Sequence, residues 1–225
     1  TLMPPFEGNS TTVFHEFARI LKKRGVRIIE GDVVGDDSAF DREFLGRGWK
    51  ARYLMYDYAA PAGALSINGN CVRLIITSAA VSMIPGNQYI AVYFNSNAGG
   101  NVYATRKLGT DEITVSGRPS GQVVREITIN NPSKYTTSVF AQVLKANGIK
   151  ISGKVRLIGE QDEGYAEKIH KIAFRRSIPL KEIICEINKE SDNFLDQHLF
   201  KAISYVTKGR GTCDNTNAVV AEWMK

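Results

Sequence analysis

Apolar positions recur with a helical period over residues 11–24, where Val13, Phe14, Phe17, Ala18, Ile20 and Leu21 share one side. Ser10 to Thr12 offer an N-cap and Gly25 a C-terminal stop, so this pattern predicts an amphipathic helix. The run Val26-Arg27-Ile28-Ile29 that follows predicts a strand. The same order returns later in the chain. FARILKKRGVRI (17–28) aligns without gaps to FAQVLKANGIKI (140–151), matching Phe17 with Phe140, Leu21 with Leu144, Gly25 with Gly148 and Ile28 with Ile151. Two helix-Gly-strand units of one pattern most simply cover a shared sheet, with the segment between them as an excursion. Chance likeness between two amphipathic helices ending in Gly is the alternative.

The excursion has a different texture. From Cys71 to Ile129 it holds the β-rich runs CVRLIITS, QYIAVYFN, NVYATRKL, EITVSG and VVREITIN, separated by the turn clusters PGN, NAGGN and GRPSGQ. This predicts an antiparallel β module without evident chemistry: it has no His, and Asp111, Glu112 and Glu126 fall on turns or strand edges. Beyond Leu157 helical periods return. Leu180, Ile183, Ile184 and Ile187 form one stripe after a start marked by Ser177 and Pro179. A second helix is expected from about Phe194, burying Leu195, Leu199, Ala202, Ile203 and Val206. NTNAVVAEWMK then opens a third, capped helix, and the chain stops inside it.

A chain of 225 residues with 43% hydrophobic positions has room for one large domain or two small ones. No apolar run is long enough to cross a bilayer, and TLMPPFEGNS lacks the pattern of a signal peptide. A start at Thr1 rather than Met suggests a piece of a longer protein. Cys71, Cys185 and Cys213 have neither disulfide-framework nor zinc spacing and are expected as packed thiols. His15, His170 and His198 form no ligand pair, so no metal or other cofactor is expected. The net charge of +6 suits a polyanion, but no run of five like charges and no nucleic-acid motif accompanies it, so no nucleic-acid partner is expected.

Ser191-Asp192-Asn193 falls at the break between the first two late helices. It has the form of a motif used by serine enzymes that bind penicillin. Alternatively, Ser191 caps the second helix and Asp192 and Asn193 are polar first-turn residues. The surroundings favour the first reading. RSIPLKEIICEINKESDNFLDQHLFKAIS, GDVVGDDSAF with GRGW, DYAAPAGALSINGNCVRLII and NPSKYTTSVFAQVLKANGIKISGKVRL occur in an order that resembles the DacB-type, class C penicillin-binding proteins. That family comprises D-alanyl-D-alanine carboxypeptidases and endopeptidases, and the likeness covers nearly the whole chain.

The resemblance implies an α/β (α+β) fold. Residues 1–80 and 127–160 would form an accessory α/β domain, 81–126 a nested antiparallel β module, and 161–225 a helical piece of a β-lactamase/transpeptidase-like domain. It also implies an acyl-serine mechanism on peptidoglycan stem peptides, inhibited by β-lactams in the full-length protein, and a periplasmic or extracytoplasmic location. Ser191 would relay a proton toward the leaving amine, and Asn193 would hold the acyl-side carbonyl. No serine here is followed by Lys at the third position, and no Lys-Thr-Gly occurs, so nucleophile, base and carboxylate site are expected outside this chain. A non-catalytic wall-binding or scaffolding module is the alternative. One departure stands out: where the family carries acidic residues after Gly-Trp, this chain has Lys50, Arg52 and Tyr53, with Asp57 only later. Recognition of a stem-peptide amine by a carboxylate is therefore not expected.

Overall fold

The computed structural model describes residues 9–162, 164 and 169–225. In chain order the elements are α1 (Thr12–Lys23), β1 (Ile28–Ile29), β2 (Val33–Gly35), β3 (Cys71–Ile76), β4 (Val81–Ile84), β5 (Ala91–Asn95), β6 (Tyr103–Arg106), β7 (Glu112–Ser116), β8 (Val123–Thr128), α2 (Pro132–Ala146), β9 (Lys150–Ile151), β10 (Val155–Leu157), α3 (Leu180–Glu190), α4 (Asn193–Lys208) and α5 (Cys213–Trp223). Short 3-10 turns, among them Ala51–Tyr53 and Asp57–Ala59, fill the stretch between β2 and β3.

The two aligned segments meet. Ala18 and Leu21 of α1 share an apolar cluster with their counterparts Ala141 and Leu144 of α2, together with Val26 and Ile149. Gly25 and Gly148 end both helices at φ 85° and 79°, a region that costs other residues about 1–2 kcal/mol. The expected shared sheet is two short parallel ladders instead. β1 pairs with β9, Ile28 opposite Lys150, and β2 with β10, Val33 opposite Val155. The break falls at Gly31 and Gly153, where the Asp32 carboxylate accepts the Lys154 amide at 2.8 Å in place of a ladder bond. The α1 cap also differs from expectation: Thr11 makes no side-chain cap bond, and Asn9 Oδ1 accepts the Thr11 amide at 3.0 Å.

Between the repeats lie two three-stranded sheets, ordered β4-β3-β8 and β5-β7-β6. The first is antiparallel throughout, with Arg73 opposite both Ile84 and Glu126. In the second, β6 and β7 are antiparallel as expected, but β5 and β7 run parallel, because β6 takes the far edge of β7. β4 was not among the expected strands, since four residues running straight into the turn cluster Pro85-Gly86-Asn87 carry little period of their own. One apolar cluster joins Val72, Leu74 and Ile76 of β3, Ile113 and Val115 of β7, and Tyr135, Val139 and Val143 of α2. Each fully buried aliphatic there contributes about 1.5–3 kcal/mol, so this is the main core and it spans both textures of sequence.

The late helices depart from the apolar stripes. On α3 no residue is fully buried, Leu180 is 55% exposed, and Ile187 packs against the cluster of Phe194 and Leu195. On α4, Leu195 is buried as expected, but Val206 is 81% exposed while Lys201 and Ser204 are enclosed. The polar side turns inward because its partners are there: Lys201 Nζ donates to Asp41 Oδ1 and to the Glu43 carbonyl, both at 2.6 Å. Ser204 Oγ accepts the Thr212 amide at 3.0 Å and the Thr216 hydroxyl at 2.9 Å. α5 starts two residues before Asn215, capped by Thr212, whose hydroxyl accepts the Asn215 amide at 3.0 Å.

Candidate functional site: the turn between α3 and α4

Ser191 closes α3 in the left-handed conformation, φ 52° and ψ 44°. For a serine this is strained by about 1–3 kcal/mol, and such residues cluster at functional sites. Its side chain is exposed and its hydroxyl makes no hydrogen bond to a described residue. The cap of α4 is not Ser191 but Asp192, whose carboxylate accepts the Leu195 amide at 2.9 Å. Asp192 therefore serves the turn, and the serine hydroxyl stays available beside it. Asn193 is also exposed, yet it is held: its Nδ2 donates to the Tyr58 carbonyl at 3.0 Å. That bond uses one of two N–H groups and leaves the other, with the amide oxygen, without a partner among the described residues.

Tyr58 belongs to an aromatic ledge. Its ring stacks on Tyr56 with centroids 5.4 Å apart and planes 7° from parallel, and meets Tyr53 edge-on at 6.0 Å. Desolvation and the neighbouring phenols push the Tyr58 pKa up, so it remains a neutral hydroxyl. Arg52 lies 4.8 Å from the Tyr53 ring, whereas the Asp57 carboxylate accepts the Tyr58 amide at 2.8 Å. The ledge is itself anchored from the β-rich insert. Arg106 of β6, almost wholly buried, donates from Nη2 to the Leu54 carbonyl at 3.0 Å and from Nε to the Thr128 carbonyl at 2.7 Å. Burial lowers the Arg106 pKa from its ordinary value, and carbonyl oxygens rather than a carboxylate satisfy its donors.

A second brace enters α4 one turn later. His198 Nδ1 lies 2.7 Å from the Phe194 carbonyl, and Nε2 lies 2.8 Å from Ser66 Oγ and 3.1 Å from the Gly63 carbonyl. Ser66 Oγ also accepts from Asn70 Nδ2 at 2.9 Å. Asn70 is fully buried, at φ 51°, and also donates to the Pro61 carbonyl at 2.7 Å. Desolvation pulls the His198 pKa down to about 4, outweighing the two carbonyls that favour its protonation. The neutral tautomer that satisfies the group donates from Nδ1–H to Phe194 and accepts from Ser66 at Nε2.

A serine 2.8 Å from a histidine has the outline of a nucleophile and its base. Here the hydroxyl accepts from Asn70, its one proton lies within reach of both His198 Nε2 and the Gly63 carbonyl at 2.8 Å, and the ring is too weak a base near neutrality. The pair is a brace between helix and loop. It was missed in the sequence, since 132 residues separate its members. Ser66, His198, Phe40 and Leu195 also border a cleft of about 1010 Å³ between α1, α3 and α4. Among the thiols, Cys71 and Cys213 are packed as expected but Cys185 is exposed. Burial pushes the Cys71 thiol pKa well up, which keeps it unreactive. His15 bonds Asn147, and no group of three His, Cys, Asp or Glu gathers among the described residues.

The family model described as D-Ala-D-Ala carboxypeptidase 3 (S13) matches residues 4–225. The D-alanyl-D-alanine carboxypeptidase of Actinomadura sp. (strain R39) is 27% identical over 210 residues, 84% of this chain and 39% of that protein. The D-alanyl-D-alanine carboxypeptidase DacB of Haemophilus influenzae is 25% identical over 210 residues, 82% and 41% of the two chains. The crystal structure of penicillin binding protein 4 (dacB) from Haemophilus influenzae is similar with TM-score 0.73 at 21% identity, over 96% of this chain and 51% of that one. Its complex with a novel β-lactam gives TM-score 0.61 at 20% identity, over 91% and 45%. The chain thus spans about two-fifths of the length of the curated relatives it matches.

Proposed function

Since the chain belongs to the D-Ala-D-Ala carboxypeptidase 3 (S13) family, we propose that it forms one wall of the active site of a serine-type D-alanyl-D-alanine carboxypeptidase/endopeptidase. The observation that carries this reading is the α3-α4 turn, where a strained, exposed Ser191 stands beside an Asn193 fixed by the Tyr58 carbonyl. In this reading 161–225 is part of the catalytic domain, and 1–80 with 127–160, and 81–126, are accessory domains. The nucleophilic serine, its lysine and the Lys-Thr-Gly strand come from other residues of the parent protein. That serine attacks the carbonyl of the penultimate D-alanine of a stem peptide. The C–N bond then breaks, D-alanine leaves with a proton passed through the Ser191 hydroxyl, and water hydrolyses the acyl-serine. Asn193 offers its free N–H to the acyl-side carbonyl and so orients the peptide. The natural setting is the periplasm or another extracytoplasmic wall compartment.

The cationic, aromatic character of the ledge argues against a carboxylate subsite for a stem-peptide amine, since Arg52 lies in it and Asp57 is engaged by its neighbour's amide. A fluorescent β-lactam tests the proposal. The parent protein should label covalently and the 225-residue chain should not, while Ser191→Ala in the parent slows acylation by about 10²–10⁴. Stable labelling of the isolated chain, or an unaltered rate for Ser191→Ala, would overturn it. A second reading, a wall-binding module that acts whatever the catalytic state, is favoured by one observation, the net charge of +6.

A further inference from the structure

Arg106 is a costly residue for the place it occupies. It sits on β6 of the insert with 6% of its surface exposed, and among the described residues none of its hydrogen bonds goes to a carboxylate. Nε donates to the Thr128 carbonyl at 2.7 Å, Nη1 to the Thr110 carbonyl at 3.0 Å, and Nη2 to the Leu54 carbonyl at 3.0 Å and the Thr128 hydroxyl at 3.3 Å. A buried cation without a paired counter-charge adds little stability that an apolar side chain of similar volume would not. What it does supply is geometry, because a planar fork fixes the oxygens it bonds relative to one another. Of these, Thr128 ends β8, and Leu54 lies in the turns that carry the tyrosine ledge.

That ledge has no ladder of its own. Residues 51–60 are held by single-turn bonds: the Leu54 amide to the Ala51 carbonyl at 3.2 Å, Tyr56 to Tyr53 at 3.0 Å, Ala59 to Tyr56 at 2.9 Å and Ala60 to Asp57 at 3.0 Å. Bonds of this kind are the weaker helical ones, so the placement of the ledge is set from outside. The Leu54 carbonyl is fixed by Arg106 and also accepts the Thr128 hydroxyl. Four residues on, the Tyr58 carbonyl accepts Asn193 Nδ2 at 3.0 Å, and the turn Asp57–Ala59 packs against both β8 and α4. A continuous run of contacts thus leads from a buried arginine in the insert to the exposed amide beside Ser191.

We propose that Arg106 is a positioning residue for the Asn193 amide, and that through it the β-rich insert sets how the acyl-side carbonyl of the substrate is held. The proposal rests on the carboxypeptidase reading above and gives the insert a part in peptide binding, although it carries no reacting group. An arginine serving stability alone would have no need to reach the Leu54 carbonyl, four residues from the one that Asn193 uses.

The test uses the parent protein and two β-lactams: benzylpenicillin, whose acylamino side chain offers Asn193 a carbonyl, and aminopenicillanic acid, the bare nucleus with a free amine in its place. Arg106→Met should slow acylation by benzylpenicillin by up to about tenfold, the worth of one neutral hydrogen bond, and leave acylation by the bare nucleus unchanged. Asn193→Ala should show the same selectivity. The double variant should be no slower than Asn193→Ala alone, since residues that act through one contact are not additive. Val115→Ala opens a cavity in the core that the insert shares, and should lower stability while leaving both rates as they were. If Arg106→Met does not fold, Arg106→Lys keeps the cation, gives up the fork and should show the same selectivity at smaller amplitude. Equal slowing with both β-lactams, additive losses in the double variant, or the same selectivity from Val115→Ala would each overturn the proposal. Selective slowing by Asn193→Ala with no response to either Arg106 variant overturns the proposal alone. A parent acylated by neither compound, or an Asn193→Ala variant without effect, overturns the carboxypeptidase reading and the proposal with it.

Discussion

Lowering the pH should unlock the His198 brace. In the folded chain the ring titrates at about 4, against an ordinary 6.5, because it is desolvated between α4 and the Gly63–Asn70 loop. Above 6.5 both folded and unfolded chains hold it neutral, and the group contributes no pH dependence. Between 6.5 and 4 the unfolded chain takes up a proton that the folded chain refuses, so stability falls as pH falls. The full gap corresponds to about 3 kcal/mol, and the loss already reaches about 2 kcal/mol at pH 5. Urea unfolding at pH 7.5, 6 and 5, run in parallel on the native chain and on His198→Gln, isolates this group from the others that titrate. The native chain should lose about 2 kcal/mol more than the variant over that range. Parallel stability curves, or an NMR titration placing His198 near 6.5, would refute the reasoning.

Two further substitutions probe the other anchors. Lys201→Met strands the Asp41 carboxylate and the Glu43 carbonyl and should cost about 3–5 kcal/mol in urea, with Asp41→Asn recovering part of it in the double variant. If the double variant is no more stable than the single one, the pair is not the source of the loss. Arg106→Met should cost about 3 kcal/mol, because it leaves the carbonyls of Leu54, Thr110 and Thr128 short of a donor. Hydrogen exchange should quicken in residues 51–59 as well as in β6 and β8. Quickening confined to the insert would refute the link to the tyrosine ledge.

Much of the fold was legible because it rests on local rules. A 3.6-residue period followed by Gly marks α1 and α2, and their likeness anticipates that Ala18, Leu21, Ala141 and Leu144 share a cluster. β2 and β10 escaped notice because strands of three residues carry too little period to detect. α4 misled for a different reason. Hydrophobicity alone points Val206 inward, but a lysine with a carboxylate and a carbonyl waiting from 158 and 160 residues away wins the interior. At the turn, Ser191 and Asn193 could be picked out as a motif. The left-handed backbone of Ser191, the Tyr58 contact and the Ser66–His198 brace could not, since each depends on residues brought together only by the fold.

The anchors of α4 have something in common: Asn193, His198 and Lys201 all reach back to residues 41–66. That earlier stretch takes no part in the proposed chemistry, yet it acts as the jig that holds the helix. A screen for inactivating substitutions would then return hits scattered through a region well away in sequence from the Ser191–Asn193 motif. Grafting the three-residue motif onto another scaffold would likewise fail unless the jig travelled with it.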